Sequence, residues 1–551
     1  MPSIPFPQRR TLLQAAAAAC LFPTAEALAQ MKPVQYNIRD HGARGDGATL
    51  DTDAINRAID AAAAAGGGTV LFPAGNYLSF SIRLKSRLIL HLDAGATLIA
   101  ADPAKHGGSY DLAEPNQWDM YQDFGHSHWH NSLIWGENLQ GVGITGTGLI
   151  HGRGLTHAGP GARRKLNAGD MPASLGGTDP HGEKTGSGSE FGAEMKGLGN
   201  KAIALKNCRN VLLRDFSILN GGHFALLATG VVDLTIDNVK ADTDRDGFDI
   251  DCCRNVRIAN CVVNSPNDDA ICLKSSYALG KPVFTENVSI TNCQVSGYDL
   301  GTFLDGTFGR TQQQAPDRDG VTGRIKLGTE SNGGFRNITI ANCVFERSRG
   351  LAIETVDGGV IEDLTVSNLA MRDLTSAPLF IRLGRRMRAP EGTPVGAVRR
   401  VNISNIVVSN ADPRYASSVT GIPGYPVEDV RISNVHVVHR GGGTRAEADR
   451  EMPENEANYP DPSMFGVTSA HGLFARHVIN LELHHCSFVA ATPDSRAALV
   501  LHKVNGATIE RTRVSRASGA ALALRDVTGL AISNLSGVKD TVRASVGRET
   551  L

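Results

Sequence analysis

The sequence predicts an all-β fold, a right-handed single-stranded parallel β-helix, and three observations carry that reading. A short alternating unit, apolar-x-apolar-x-Asn, recurs as LTIDN, VRIAN, VSITN, ITIAN, LTVSN, VNISN, VRISN and LAISN, with weaker copies VLLRD and LELHH. Its shortest spacing, Asn238 to Asn260, is 22 residues, which suits one turn of a solenoid better than a four-stranded propeller blade. No helical pattern intervenes between copies, so strands this short bury their faces only by stacking on one another. The repeated Asn then forms a hydrogen-bonded ladder at one corner of the coil.

The remaining elements follow in chain order. Residues 1–29, with Arg9-Arg10-Thr11-Leu12-Leu13 opening an Ala-rich apolar run that ends near Ala27-Leu28-Ala29, form a twin-arginine export signal with a small-residue cleavage site. That run is too short to span a bilayer. A lipoprotein site at Cys20 is the alternative reading. The protein is therefore expected to be periplasmic or secreted. Residues 30–551 read as one catalytic domain, whose N-terminal cap covers about 33–100. Within it, DTDAINRAIDAAAAA is a helix, capped by Asp51-Thr52 and ended by Gly66, that plugs the first coil. Longer gaps between repeats become surface loops at roughly 102–132, 155–199, 305–320, 411–426 and 440–470. Cys261, Cys293 and Cys343 follow Asn in matching contexts, which makes them stacked interior positions rather than bridges.

Composition narrows the function. The 551 residues are 41% hydrophobic and 20% charged, with a formal net charge of −1. No global field steers such a chain to nucleic acid or to an anionic membrane, so a polyanionic ligand needs a local basic patch. No cofactor or metal is called for, and a monomer is expected.

Two acidic clusters carry the chemistry. ADTDRDGFDID contains Asp246, and SPNDDAICLKS contains Asp268 and Asp269. Asp246 and Asp268 lie one short repeat apart, which predicts similar positions on adjacent coils, about 5 Å apart by strand spacing. Asp269 then points the other way along the chain. Clustering raises the proton affinity of one carboxyl while another stays ionised, as an acid and base pair requires. Solvated turn acids are the alternative for any single Asp. DTDRDG also matches the opening of a calcium-binding EF-hand loop, but its twelfth position is Cys253 where a Glu is needed.

The chain resembles a known family at these residues. IRDHGARGDGATLDTDAINRAIDAA, followed by GGGTVLFPAGNYLSFSIRLKSRLILHLDAGATL, is similar to the N-terminal region of pectin-degrading β-helix proteins. DRDGFDI and NDDAICLKS resemble the acidic motifs of glycoside hydrolase family 28, the polygalacturonases and rhamnogalacturonases. The resemblance implies calcium-independent, inverting hydrolysis of a galacturonate-containing pectic polysaccharide, with Asp268 protonating the leaving oxygen and Asp246 and Asp269 activating water. Inversion ordinarily separates the carboxyl groups by roughly 6.5–9.5 Å.

The sequence departs from the polygalacturonase pattern beyond the acids. The coil where the family carries Gly-His-Gly reads GRIKLGTESNGG, with Gly323 in place of His. The later coil, where Arg-Ile-Lys is expected, reads GLAIET and carries Ala352 and Glu354. Arg324 and Lys326 therefore lie one coil early. They, with Glu330, Glu354, Lys274 and His223, are the candidate substrate-binding residues. Glu354 would repel a uronate and accept hydrogen bonds from a neutral sugar, which makes a rhamnogalacturonan hydrolase the leading alternative. A calcium-dependent pectate lyase and a non-catalytic sugar-binding solenoid are the other two. Trp118, Trp129 and Trp135 fall in one region with Tyr121, Phe124, His126, His128 and His130, forming either a wall for sugar rings or the packing of a long loop.

Overall fold

The computed structural model describes residues 35–156, 195–316, 318–515 and 519–551. Residues 1–29, read as an export signal, with Cys20 and most of the 155–199 loop, lie outside these residues. The described chain is a parallel β-helix. In its central turns three strands form a coil, and each pairs in parallel with its counterparts in the coils before and after. Towards the C-terminus two of the three strands merge into continuous runs such as Val360–Arg372 and Ala397–Ala411. The last strand, Thr541–Thr550, turns antiparallel against Leu522–Ser533.

The repeat's alternation builds this coil directly. In one stack of strands, β1 (Phe224–Thr229), β2 (Asp246–Asp251), β3 (Ile271–Ser275), β4 (Ile325–Ser331), β5 (Leu351–Thr355) and β6 (Leu379–Leu383) follow one another up the axis. Leu226, Phe248, Ile271, Ile325, Leu351 and Leu379 stack in register and are buried in the main core. Burying each such side chain contributes about 1.5–3 kcal/mol, so the column is a large part of what holds the coils together. Alternate residues face outward, which is how a buried strand such as β2 presents Asp249 and Asp251 beside Phe248 and Ile250.

The Asn corner exists, and its backbone explains the residue. Asn260, Asn292, Asn342, Asn368, Asn405 and Asn434 all take left-handed conformations, with φ between 52° and 59°, which Asn tolerates better than most residues. Rungs run from Asn368 to Asn342 at 3.0 Å, from Asn405 to Asn368 at 3.1 Å and from Asn434 to Asn405 at 2.8 Å. A second ladder that the repeat pattern did not reveal joins Asn255, Asn287 and Asn337 at 3.0 and 2.8 Å. The eight described cysteines are free and buried. Cys261, Cys293 and Cys343 each turn the thiol onto the backbone carbonyl two residues earlier.

Helix α1, Thr52–Ala64, buries Ala54, Ile55, Ala58, Ile59 and Ala62 in the same core. Its start differs from the sequence expectation. The Asp51 carboxylate accepts from the Arg44 and Gly45 amides at 2.7 and 3.0 Å and makes no bond to the helix. The 411–426 segment also differs, because Ser417–Thr420 within it is a strand stacked on β6. No helix among the described residues is long and apolar enough to cross a membrane.

Candidate active site

Register decides how the acids meet. Phe248 of β2 lies opposite Ile271 of β3, and the Gly247 amide donates to the Asp269 carbonyl at 2.9 Å. Asp269, not Asp268, therefore stacks beside Asp246. The expected alignment of Asp246 with Asp268 is off by one residue, because this coil is one residue longer than the shortest repeat. Asp268 falls beside Arg245 and accepts from its guanidinium at 2.5 Å, across 23 residues. All three carboxylates still converge, with one oxygen from each lying within 4.8 Å of the others. This is the one group among the described residues close enough to hold a metal ion, and it is tighter than the separation inversion ordinarily uses.

The three differ in access and in company. The Asp268 side chain is 22% exposed, against 5% for Asp246 and 2% for Asp269. Burial, with Asp249 and Asp268 alongside, raises Asp246 well above the ordinary carboxylate range. His223 approaches its Oδ2 at 4.0 Å. Burial also works against ionisation of Asp269, but Arg324, Lys326 and Lys274 outweigh it and hold this carboxyl far below the usual range. The Arg324 Nε lies 2.6 Å from Asp269 Oδ1, and the Lys326 Nζ lies 3.2 Å from Oδ2. Of the two stacked carboxyls the proton is thus favoured on Asp246, whose neighbours are mainly acids, and not on Asp269.

The coil above the acids carries those cations. The Ala270 amide donates to the Arg324 carbonyl and the Gly323 amide to the Asp268 carbonyl, which fixes GRIK directly over the Asp pair. At Gly323, φ is +51°, and a Cβ would come within 2.0 Å of the Ser296 carbonyl oxygen. No side chain fits this backbone there, so the position read as a lost His has no room for one. Arg324 and Lys326 are each 1% exposed. Their charged ends engage Asp269, and Arg324 also meets Asp461 at 3.4 Å.

Lys274 and Glu330 face a different partner set. The Lys274 Nζ sits 3.1 Å from Glu330 and 3.7 Å from Asp249. Arg386 and Arg388 approach Glu330 at 3.9 and 3.8 Å. Burial opposes the ionisation of Glu330, yet Lys274, His126 and the two arginines hold it well below the ordinary range. Glu354 stands apart. It is fully buried on β5, and neither carboxylate oxygen accepts a hydrogen bond, although Lys326 lies 3.7 Å away.

Sequence reasoning missed most of the supporting cast. Asp461 and Tyr459 come from the 440–470 segment and reach Arg324, Arg349 and Lys326. Asp319 binds Arg349 at 3.0 Å. His126 Nε2 lies 3.0 Å from Asp249. The three histidines of the His-x-His-x-His run diverge, with His128 on Asp119 and His130 on Glu137. The tryptophans part similarly: Trp129 is fully buried and bonds Thr229, Trp135 stacks on His130, and Trp118 packs with Tyr121 and Tyr277.

Converging carboxyls of opposed proton affinity can serve as proton donor and acceptor. A family model described as glycosyl hydrolases family 28 matches residues 117–299, the span that holds all three aspartates, and one described as rhamnogalacturonase A/epimerase, pectate lyase-like, matches 35–116. A probable polygalacturonase of Vitis vinifera is 25% identical over 429 residues, covering 72% of this chain and 73% of its own. An exo-poly-alpha-D-galacturonosidase of Dickeya chrysanthemi is 24% identical, covering 64% of this chain and 57% of its own. Alginate lyase 7 of Azotobacter vinelandii is 64% identical over only 44 residues, 8% of this chain and 5% of its own. Among solved structures, a Thermotoga maritima exopolygalacturonase superposes with a TM-score of 0.57 at 16% identity, covering 95% of this chain and 96% of that one. A Yersinia enterocolitica family 28 exopolygalacturonase does so at 0.55 and 18%, covering 94% and 80%. The comparisons identify a glycoside hydrolase. Over residues 117–299 the chain is similar to glycosyl hydrolase family 28.

Proposed function

We propose that the protein hydrolyses galacturonate-containing pectic polysaccharide, and that Asp246, Asp268 and Asp269 do the chemistry. The supporting observation is the division of labour among three carboxyls held within 4.8 Å. Asp268, the most open of them, donates the proton to the departing glycosidic oxygen. Asp269, held ionised by Arg324 and Lys326, accepts the proton of the attacking water. Asp246 fixes that water and keeps a proton within reach of Asp268 between turnovers. The family resemblance favours inversion, whereas the tightness of the trio favours retention. Proton NMR of the first-formed anomer separates the two, an inverted configuration being expected.

A rhamnogalacturonan substrate is the second reading. It is favoured by the model matched at 35–116, while Glu354 on the coil expected to be basic is fully buried and does not decide it. Under this reading Arg324, Lys326 and Glu330 act mainly by shaping the site, since all three are buried. Export through residues 1–29, a single domain over 30–551 and a monomeric state complete the proposal. The test is digestion of homogalacturonan and rhamnogalacturonan in the presence of a chelator, with products resolved by size. New reducing ends without an unsaturated, ultraviolet-absorbing product are expected. Calcium-dependent appearance of that chromophore sinks the hydrolytic reading.

A further inference from the structure

We infer that Glu354 is a positioning residue for Asp269 that acts through Lys326: as a neutral carboxyl it leaves the ammonium to Asp269, and as a carboxylate it draws the ammonium away. The inference rests on Asp269 serving as a base in hydrolysis, and it concerns a residue that touches no reacting atom.

Geometry supplies the competition. The Lys326 Nζ has three acceptors: Tyr459 Oη at 2.9 Å, Asp269 Oδ2 at 3.2 Å and Glu354 Oε2 at 3.7 Å. The two carboxylates differ by half an ångström, a distance a flexible four-carbon stem covers without backbone movement. Glu354 cannot turn elsewhere for partners. It is fully buried, and no hydrogen bond reaches either oxygen. The coil below offers Lys326 and Arg324, the turn before β3 offers Asp269, and the 440–470 segment offers Tyr459 and Asp461. Arg382 lies in register on β6, but its guanidinium donates to the carbonyls of Gly421, Glu454 and Asn455. Ala352 and Phe380 belong to an apolar cluster beside the same coils.

A bare carboxylate so placed is costly unless it captures a cation. Burial accordingly pushes the Glu354 carboxyl up to about 7, against the pull of Lys326 and Arg324. Below neutrality Glu354 is protonated, and Asp269 keeps both cations. Above neutrality Glu354 is ionised and shares Lys326, so Asp269 rests mainly on Arg324 and is less firmly oriented. The rate of the bound complex therefore falls as Glu354 loses its proton, before the catalytic acid itself is lost.

Two measurements test this. In kcat against pH, the wild type is expected to show two ionisations on its basic limb, and Glu354→Gln only the higher, moving the limb up by about one pH unit, with little change in KM. Glu354→Ala, which opens a cavity, serves as the comparison for mere loss of packing. A Glu354→Gln profile that superimposes on the wild type overturns the inference, as does a change confined to KM for uronate oligomers, which marks a direct substrate contact. Difference infrared spectroscopy needs no substrate and is read in an Asp246→Asn background, which removes the other carboxyl held protonated: a protonated-carboxyl band that bleaches through neutrality is expected there with Glu354 intact but not with Glu354→Gln. Its persistence in Glu354→Gln overturns the inference. Failure to cleave any glycoside overturns the hydrolase reading instead, and leaves the infrared result to decide the role of Glu354.

Discussion

Asp246 and Asp269 lie side by side on neighbouring coils and are almost equally buried, yet their surroundings push them in opposite directions. Asp246 looks onto Asp249 and Asp268, with Lys274 as its main cation, and holds a proton well into the range where carboxyls are usually ionised. Asp269 looks onto Arg324 and Lys326, and is held ionised far below it. Burial alone disfavours charge on both. The difference comes from what overlies each one: Arg324 and Lys326, at the start of β4, lie over Asp269, and Asp246 is left with acids. A solenoid makes this easy, because each added coil places a new row of side chains about 5 Å from the last.

Removing the chemistry on each side gives the largest effects. Asp269→Asn and Asp268→Asn are each expected to lower kcat by at least about a hundredfold, as loss of a general base or acid does. Asp246→Asn resembles the protonated resting form more closely, so a smaller loss, about tenfold, is expected. Steady-state kinetics on a pectic oligomer checks all three. A loss in Asp246→Asn equal to that in Asp269→Asn breaks the comparison. Stability of Asp268→Asn should hardly change, because that side chain is the most exposed of the three.

The next effect is on stability. Arg324→Ala leaves Asp269 and Asp461 short of a buried cation, which is expected to cost about 3–5 kcal/mol in denaturant melts near neutral pH. The pH dependence has a definite sign. Because the folded state lowers the Asp269 carboxyl, its pairing stabilises the protein above the unfolded-state value and is lost as pH falls towards the folded-state one. The wild type should therefore lose stability on acidification more steeply than Arg324→Ala. Lys274→Met sharpens the other side. It deprives Glu330 and Asp249 of a partner and is expected to raise the Asp246 carboxyl further, which moves the basic limb of the activity profile upward. An unmoved limb in this variant argues that Asp246 is not part of the titrating group.

The smallest expected effect lies far from the site. Asn368→Ala removes one rung of the ladder and a residue suited to the left-handed corner, and about 1 kcal/mol of stability should go with it, read from thermal melts with activity unchanged.

The coil was legible because its signal repeats. Alternation and the corner Asn recur in most turns and the stacked Cys in several, so chance agreement averages out. The acids were legible as a pair of clusters one turn apart, but not in register, since a coil that gains one residue looks the same as one that does not until the backbone bonds are known. That one residue exchanged the partners of Asp268 and Asp269. The cations were legible as residues and not as roles: GRIK reads as a substrate-binding motif, and only the overlying strand shows both charges turned onto Asp269. Tyr459, Asp461 and Asp319 left no periodic trace, because loops return to the site by contacts that sequence spacing does not encode. The same holds for His126, which meets Asp249 while its neighbours His128 and His130 face other carboxylates.

Carbon-13 NMR titration of protein labelled at the Asp side-chain carboxyls, assigned with Asp246→Asn and Asp269→Asn, tests the central claim most directly. The account requires the Asp246 carboxyl to titrate well above the ordinary range for an aspartate, and the Asp269 carboxyl to stay ionised to the lowest pH at which the protein remains folded. Two carboxyls that titrate together near the ordinary value would contradict it.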